Sequence, residues 1–251
     1  MHEAGSPWIY AYLVLSASLF LVWLILYAVR ADLRRETLLI SLGTMPLGLT
    51  EPLFVPAYWN PPTVFDLAHR TGFDLESLLF SFAIGGIVFA AYAALFGTTP
   101  TEDLTEGRQH PRHRYHLAAV LTAPAFFLLL VALTSLNPIY AAAYALVSGF
   151  VATLYCRRDL ATKMLVSGAL FGGLYFLVFA LFNLAFPGYV AAVWNLATLS
   201  GLLIAGVPLE ELIFAFTFGL YWSSVYEHLT WKRSSRPASA LSAAARFGVG
   251  R

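Results

Sequence analysis

Five glutamates stand in apolar runs that supply them no cation. Glu51 lies between Thr50 and Pro52 near the end of one run. Glu76 opens another, within Asp74-Leu75-Glu76-Ser77. Glu210 and Glu211 open the last, within Pro208-Leu209-Glu210-Glu211, and Glu227 and His228 close it. Carboxyl groups held where water is scarce keep their protons more readily, and close pairs share them. Such groups can deliver a proton near neutral pH. Helical spacing puts Glu210, Phe214, Thr217 and Tyr221 on one face, with Glu211, Ala215, Phe218 and Trp222 on the next. Aromatic faces beside an acid can stabilise a developing carbocation, because the ring quadrupole attracts positive charge.

Each feature also has a plainer use. An acid at a helix N-terminus stabilises the helix dipole, and Pro208 is an ordinary helix start. For Glu76 alone the two uses weigh equally. The adjacent Glu210 and Glu211 exceed what a cap requires, which favours chemistry. Any single aromatic ring serves equally well as packing or as a lipid-facing group.

Other chemistries find little support. His110, His113 and His116 are separated by Pro and Arg in a loop and at a run's start, which is weak metal spacing. The single cysteine, Cys156, gives neither a disulfide framework nor a metal cluster, and reads as packing at a helix end. No metal or other cofactor is expected. Phosphate-binding, dinucleotide-binding and nucleophile-elbow motifs are absent from the sequence. A net charge of +1 leaves no basic footprint for nucleic acid. The last run has no Lys for a retinal Schiff base.

The elements that must position these acids are membrane spans. Hydrophobic residues make up 59% of the 251 and charged residues only 12%, against about 25% in a soluble domain. Seven apolar runs have the length that crosses a bilayer: Trp8–Val29, Thr37–Pro56, Leu75–Phe96, His116–Leu136, Ile139–Tyr155, Met164–Phe186 and Leu209–His228. Fourteen of the 15 Lys and Arg fall in the first, third and fifth connections and the C-terminal tail, leaving only Arg70 on the other side. The positive-inside rule then puts the N-terminus outside and the C-terminus in the cytoplasm. No Lys or Arg falls within a span, so the acids lack an intramembrane cation. Trp8, Tyr58, Trp59, Tyr189, Trp194 and Trp231 fall near span ends, where amphipathic rings anchor at the interface. The N-terminus lacks the features of a secretory signal. The tail from Ser234, rich in Ser, Ala and Arg, reads as disordered.

The chain repeats itself. Arg30-Ala31-Asp32-Leu33 recurs as Arg157-Arg158-Asp159-Leu160, and Trp59-Asn60 as Trp194-Asn195. The segment from Gly72 to Phe82 recurs from Gly206 to Phe216. The expected architecture is an all-α polytopic membrane protein: two parallel three-helix repeats joined by a linking helix. Residues 1–98 form the first repeat, 99–136 the cytoplasmic loop and linking helix, 137–233 the second repeat, and 234–251 the tail. Binding sites in such proteins often lie at the repeat interface. Candidate catalytic residues are Glu210, Glu211, Glu76 and Glu51. Candidate substrate-binding residues are Pro208, Phe214, Tyr221, Trp222, Trp194, Asn195 and Trp59.

Pro208-Leu209-Glu210-Glu211, opening an apolar helix after a Trp-containing loop, resembles the Pro-x-Glu-Glu signature of the lycopene cyclase domain family. The two three-span halves joined by a further span resemble that family's fused forms, from about Trp8 to Lys232. The resemblance implies redox-neutral cyclisation of the ends of lycopene or a related linear isoprenoid in a prokaryotic plasma membrane. It leaves association with other carotenoid enzymes open. An acid would protonate the terminal double bond, the neighbouring alkene would close on the cation, and a base would remove a proton. On this resemblance Glu210 is the leading donor, since Glu76 is its counterpart in the first repeat, and Glu211 tunes it or takes the proton back. The first repeat departs from the signature, with Asp74 in place of the proline and Ser77 in place of the second acid. A membrane carrier or pigment-binding protein with proton-relaying carboxylates is the alternative reading.

Overall fold

The computed structural model describes residues 8–104 and 110–235. Arg108 and the tail from residue 236 lie outside the described residues. The chain is mostly helical, in the order α1 (Ala11–Val29), α2 (Arg34–Thr44), α3 (Glu51–Phe54), α4 (Leu67–Thr71), α5 (Leu75–Phe96), α6 (His116–Leu133), α7 (Pro138–Cys156), α8 (Ala161–Ala185), α9 (Tyr189–Val193), α10 (Leu209–Trp222) and α11 (Val225–Thr230). The described residues also include four short strands: β1 (Thr99–Asp103), β2 (Leu203–Ile204), β3 (Val207–Pro208) and β4 (Lys232–Ser235). Strand β1 pairs antiparallel with β4, and β2 with β3.

Among the described residues, six helical runs are long and apolar enough to cross a membrane: Ala11–Val29, Ala31–Phe54, Leu75–Phe96, His116–Leu133, Pro138–Cys156 and Arg158–Ala185. The last expected span, Leu209–His228, instead divides into the 14-residue α10 and the 6-residue α11. Between them, the Ser224 hydroxyl donates to Tyr221 O at 2.8 Å, a local bond that competes with the helical ladder. The outer surface carries leucines such as Leu117, Leu121, Leu128, Leu129 and Leu133 of α6. All five glutamates singled out above are buried. Apolar side chains outside and carboxyl groups inside suit a chain surrounded by hydrocarbon.

Helices α1 and α2 pack on α5, and α7 and α8 pack on α10. Helix α6 packs on α7, and α5 meets α8 where the two sets join. Matching sequence segments make matching contacts. Arg30 pairs with Asp32 at 2.7 Å and donates to the carbonyls of Ala93 and Thr98. Arg157 pairs with Asp159 at 2.7 Å and donates to the carbonyls of Glu227 and Lys232. Each arginine ties one helix-to-helix turn to the end of a later helix. At the opposite end the two Trp-Asn pairs meet. Trp59 and Trp194 form a β-bridge, Asn60 N donates to Val193 O, and Asn195 N donates to Tyr58 O, both at 2.9 Å.

Two sequence expectations need correction. Tyr58, Trp59, Tyr189 and Trp194 are all buried, so they pack inside rather than lying free at an interface. The acid near the end of the chain does have a cation: buried Lys163, one turn inside α8, pairs with fully buried Glu227. Helix α8 begins three residues before the apolar run does, which carries Lys163 into the helix.

Candidate functional site

The run Ala31–Phe54 is not a uniform helix, and its irregular end makes the site. Pro46 and Pro52 lack backbone N–H groups, and the stretch Met45–Thr50 winds as a 3₁₀ helix between α2 and α3. Gly48 lets this stretch lie against the start of α5. A Cβ there would stand 2.6 Å from Ser77 O and 2.7 Å from Leu78 N. Glu51 follows directly and points inward, only 8% exposed. Its polar neighbours are Ser77 and Trp59. Its Oε1 has no hydrogen-bond partner among the described residues.

Glu51 faces a cavity of about 480 Å³, within the usual range of roughly 300–1,000 Å³ for small-molecule sites. Helices α5, α6, α7 and α10 supply much of the wall, with rings from Phe54, Phe80, Phe127, Phe214, Phe218 and Trp222. Glu211 is the second carboxyl group on the wall. It is 6% exposed and accepts three hydrogen bonds. Tyr58 Oη and Trp194 Nε1 donate to Oε1 at 2.6 and 3.1 Å, and Tyr175 Oη donates to Oε2 at 2.6 Å. Burial foremost, and the Glu211 charge next, hold the Tyr58 phenol well above its ordinary pKa, so it remains a donor.

Glu210 and Glu76 are not among the residues lining this cavity. Glu210 Oε1 accepts from Tyr140 Oη at 2.6 Å and from Ser200 N at 2.8 Å. Glu76 Oε1 accepts from Val64 N at 2.7 Å. Each ties the loop before its helix to the helix start. Successive residues point about 100° apart on a helix, so Glu210 and Glu211 face different surroundings.

Among the other candidates, Trp59, Trp194, Phe214, Tyr221 and Trp222 line the cavity, whereas Pro208 and Asn195 do not. Sequence reasoning read Tyr58 as an interface ring and passed over Tyr175 and Tyr12, and all three line it as well. Tyr12 Oη lies 2.9 Å from Ser77 Oγ. Buried tyrosines in apolar helices leave a signal only when their partner acid is known. Sequence spacing also separated Cys156 from the histidines, but the fold does not. His113 and His116 both lie against Cys156.

An apolar cavity inside a helical bundle, walled by rings and carrying two carboxyl groups, suits a hydrophobic molecule in shape and polarity. Residues 137–229 match the family model for lycopene cyclase, which supports the lycopene cyclase domain family. The match runs from the residue before α7 to the last turn of α11 and includes Glu210 and Glu211. No curated protein and no solved structure matches the chain.

Proposed function

We propose that the chain is a membrane enzyme of carotenoid biosynthesis that cyclises the ends of lycopene or a related linear isoprenoid. The observation that carries this reading is the pair Glu51 and Glu211 on the wall of one aromatic, apolar cavity. The family match over the second half supports it.

Glu51 is the proton donor in this reading. Among the described residues its Oε1 has no hydrogen-bond partner, and no cation lines the cavity with it. It transfers its proton to the terminal double bond of the substrate. The adjacent alkene supplies the electron pair that closes the six-membered ring, and the positive charge moves to a ring carbon. The rings of Phe214, Phe218 and Trp222 stabilise that charge. Glu211, held as an acceptor by three neutral donors, then takes a ring proton and leaves a double bond. One proton enters and one leaves, so the product is an isomer of the substrate and the net reaction is redox-neutral.

Glu210 and Glu76 act as positioning residues that fasten the loops beside the cavity. This assigns the donor role to Glu51 rather than to Glu210, the choice the signature implied. The matched arginine, Trp-Asn and glutamate contacts support two parallel three-helix repeats, with α10 and α11 together as the seventh crossing. The distribution of basic residues supports an outside N-terminus, and the family resemblance points to a prokaryotic plasma membrane.

Expression in cells that accumulate lycopene, followed by chromatography of the pigments, tests the function. Monocyclic or bicyclic carotene is expected from the wild-type chain. Glu51→Gln and Glu211→Gln should each lower its formation about 100- to 10,000-fold, the usual contribution of a positioned acid or base. Unchanged lycopene beside membrane-inserted wild-type protein would refute the proposal for that substrate. Unchanged product from either variant would refute the assigned roles.

A further inference from the structure

We propose that His113, His116 and Cys156 form a metal site for a divalent ion that favours imidazole and thiolate, of the Zn²⁺ class. His113 Nδ1 and His116 Nδ1 each lie 3.2 Å from Cys156 Sγ. The three potential ligand atoms all fall within 4.8 Å of one another. With Zn–S near 2.3 Å and Zn–N near 2.0–2.1 Å, a tetrahedral ion separates such ligands by about 3.5 Å. Each Cys156–His distance is a few tenths of an ångström from that spacing, and the two histidines close the remaining gap around the ion by turning their rings.

The surroundings aim the ligands. His116 Nε2 lies 2.7 Å from His228 O, and a carbonyl can only accept. Nε2 therefore carries the ring proton, and the Nδ1 lone pair faces the sulfur. Ligating histidines are commonly oriented by such a bond from the second ring nitrogen. The His116 ring stacks on Trp231, with centroids 3.9 Å apart, and meets His228 edge-on at 4.3 Å. His113 meets the same tryptophan edge-on at 4.9 Å. Without a metal the groups satisfy one another: the thiol donates to His116, and His113 donates to the sulfur. A metal ion replaces the thiol proton, which leaves to solvent, and His113 carries its proton on Nε2 instead.

The site joins three separate segments: the turn Pro111–His113, the first residue of α6 and the last residue of α7. Helix α6 has few buried residues, yet its next turns supply Val120, Ala123 and Pro124 to the cavity wall. A metal at His116 would hold that wall in place from one end.

Cys156 is the chain's only cysteine, so a thiolate-to-metal signal has one possible source. The test uses the full-length protein in detergent, purified without a polyhistidine tag and stripped with chelator. Titration with Co²⁺ should give one ion per chain and a thiolate-to-Co²⁺ charge-transfer band that Zn²⁺ abolishes. Cys156→Ser should lose the band, and His116→Gln should weaken binding at least tenfold. Zn²⁺ should raise the unfolding temperature of the wild type but not of Cys156→Ser. Absence of the charge-transfer band in folded wild-type protein would overturn the proposal, whether or not the variants fold. Zn²⁺ stabilisation that persists in Cys156→Ser would overturn it as well.

Discussion

Glu211 takes hydrogen bonds from two phenols and an indole, and each removes freedom from the carboxylate that faces the cavity. A hydrogen bond to a charged group contributes about 1.5–3 kcal/mol, and each 1.36 kcal/mol is a factor of about ten in rate. Tyr175→Phe should therefore slow ring formation about 10- to 100-fold, measured as initial rate in membranes. Glu210→Gln keeps an acceptor oxygen for Ser200 N–H and Tyr140 Oη, so its loss should stay below about tenfold. A Glu210→Gln loss as deep as that of Glu211→Gln would return the donor role to Glu210. At this scale the acids were legible in the sequence, because carboxyl groups without cations are rare in apolar runs. Which neighbour of an adjacent pair faces the cavity was not, since a 100° rotation is invisible until the helix is docked. The Lys163 partner of Glu227 was missed for a similar reason: it lies 64 residues away on another helix.

At the scale of elements, the irregular turn from Met45 to Thr50 decides where Glu51 points. Its glycine touches backbone atoms of α5, which cannot swing aside as a side chain can. Gly48→Ala should cost about 1–3 kcal/mol of stability, as overpacking usually does. It should also remove most cyclisation by moving Glu51, whereas Gly43→Ala, with open space around its site, should leave both nearly unchanged. Thermal unfolding in detergent and pigment analysis check the pair. Five of the first six apolar runs become single long helices, because length and hydropathy set them, whereas Thr37–Pro56 divides at the 3₁₀ stretch. The break at Ser223–Ser224 is not written in hydropathy. It follows from hydroxyls that bond to carbonyls a turn earlier, which only local geometry reveals.

At the scale of the molecule, repeated sequence segments recur as repeated contacts. Both Arg-x-Asp segments grip the far end of a later helix, and both Trp-Asn segments meet across one bridge. The pairing of β1 with β4 and the two arginine clamps gather the basic connections at one end. The Trp59–Trp194 bridge and the Glu76 and Glu210 loop anchors lie at the other. The proposed seven crossings put the termini on opposite sides. A C-terminal fluorescent reporter should be active in the cytoplasm, and an N-terminal protease site should be cut from outside intact cells. Both termini on one side would exclude α10 with α11 as a crossing. The cavity draws one acid, Glu51, from the first repeated stretch of sequence and the other, Glu211, from the second.

The central claim, that one carboxyl group delivers a proton and a different one removes it, is tested most directly by running the reaction in heavy water. Wild-type membranes given lycopene should form cyclic carotene carrying one solvent deuterium per ring, read by mass spectrometry, with Glu51→Gln forming none. Cyclic product without deuterium would contradict the account, because it would mean that the proton removed from one carbon is the proton returned to another.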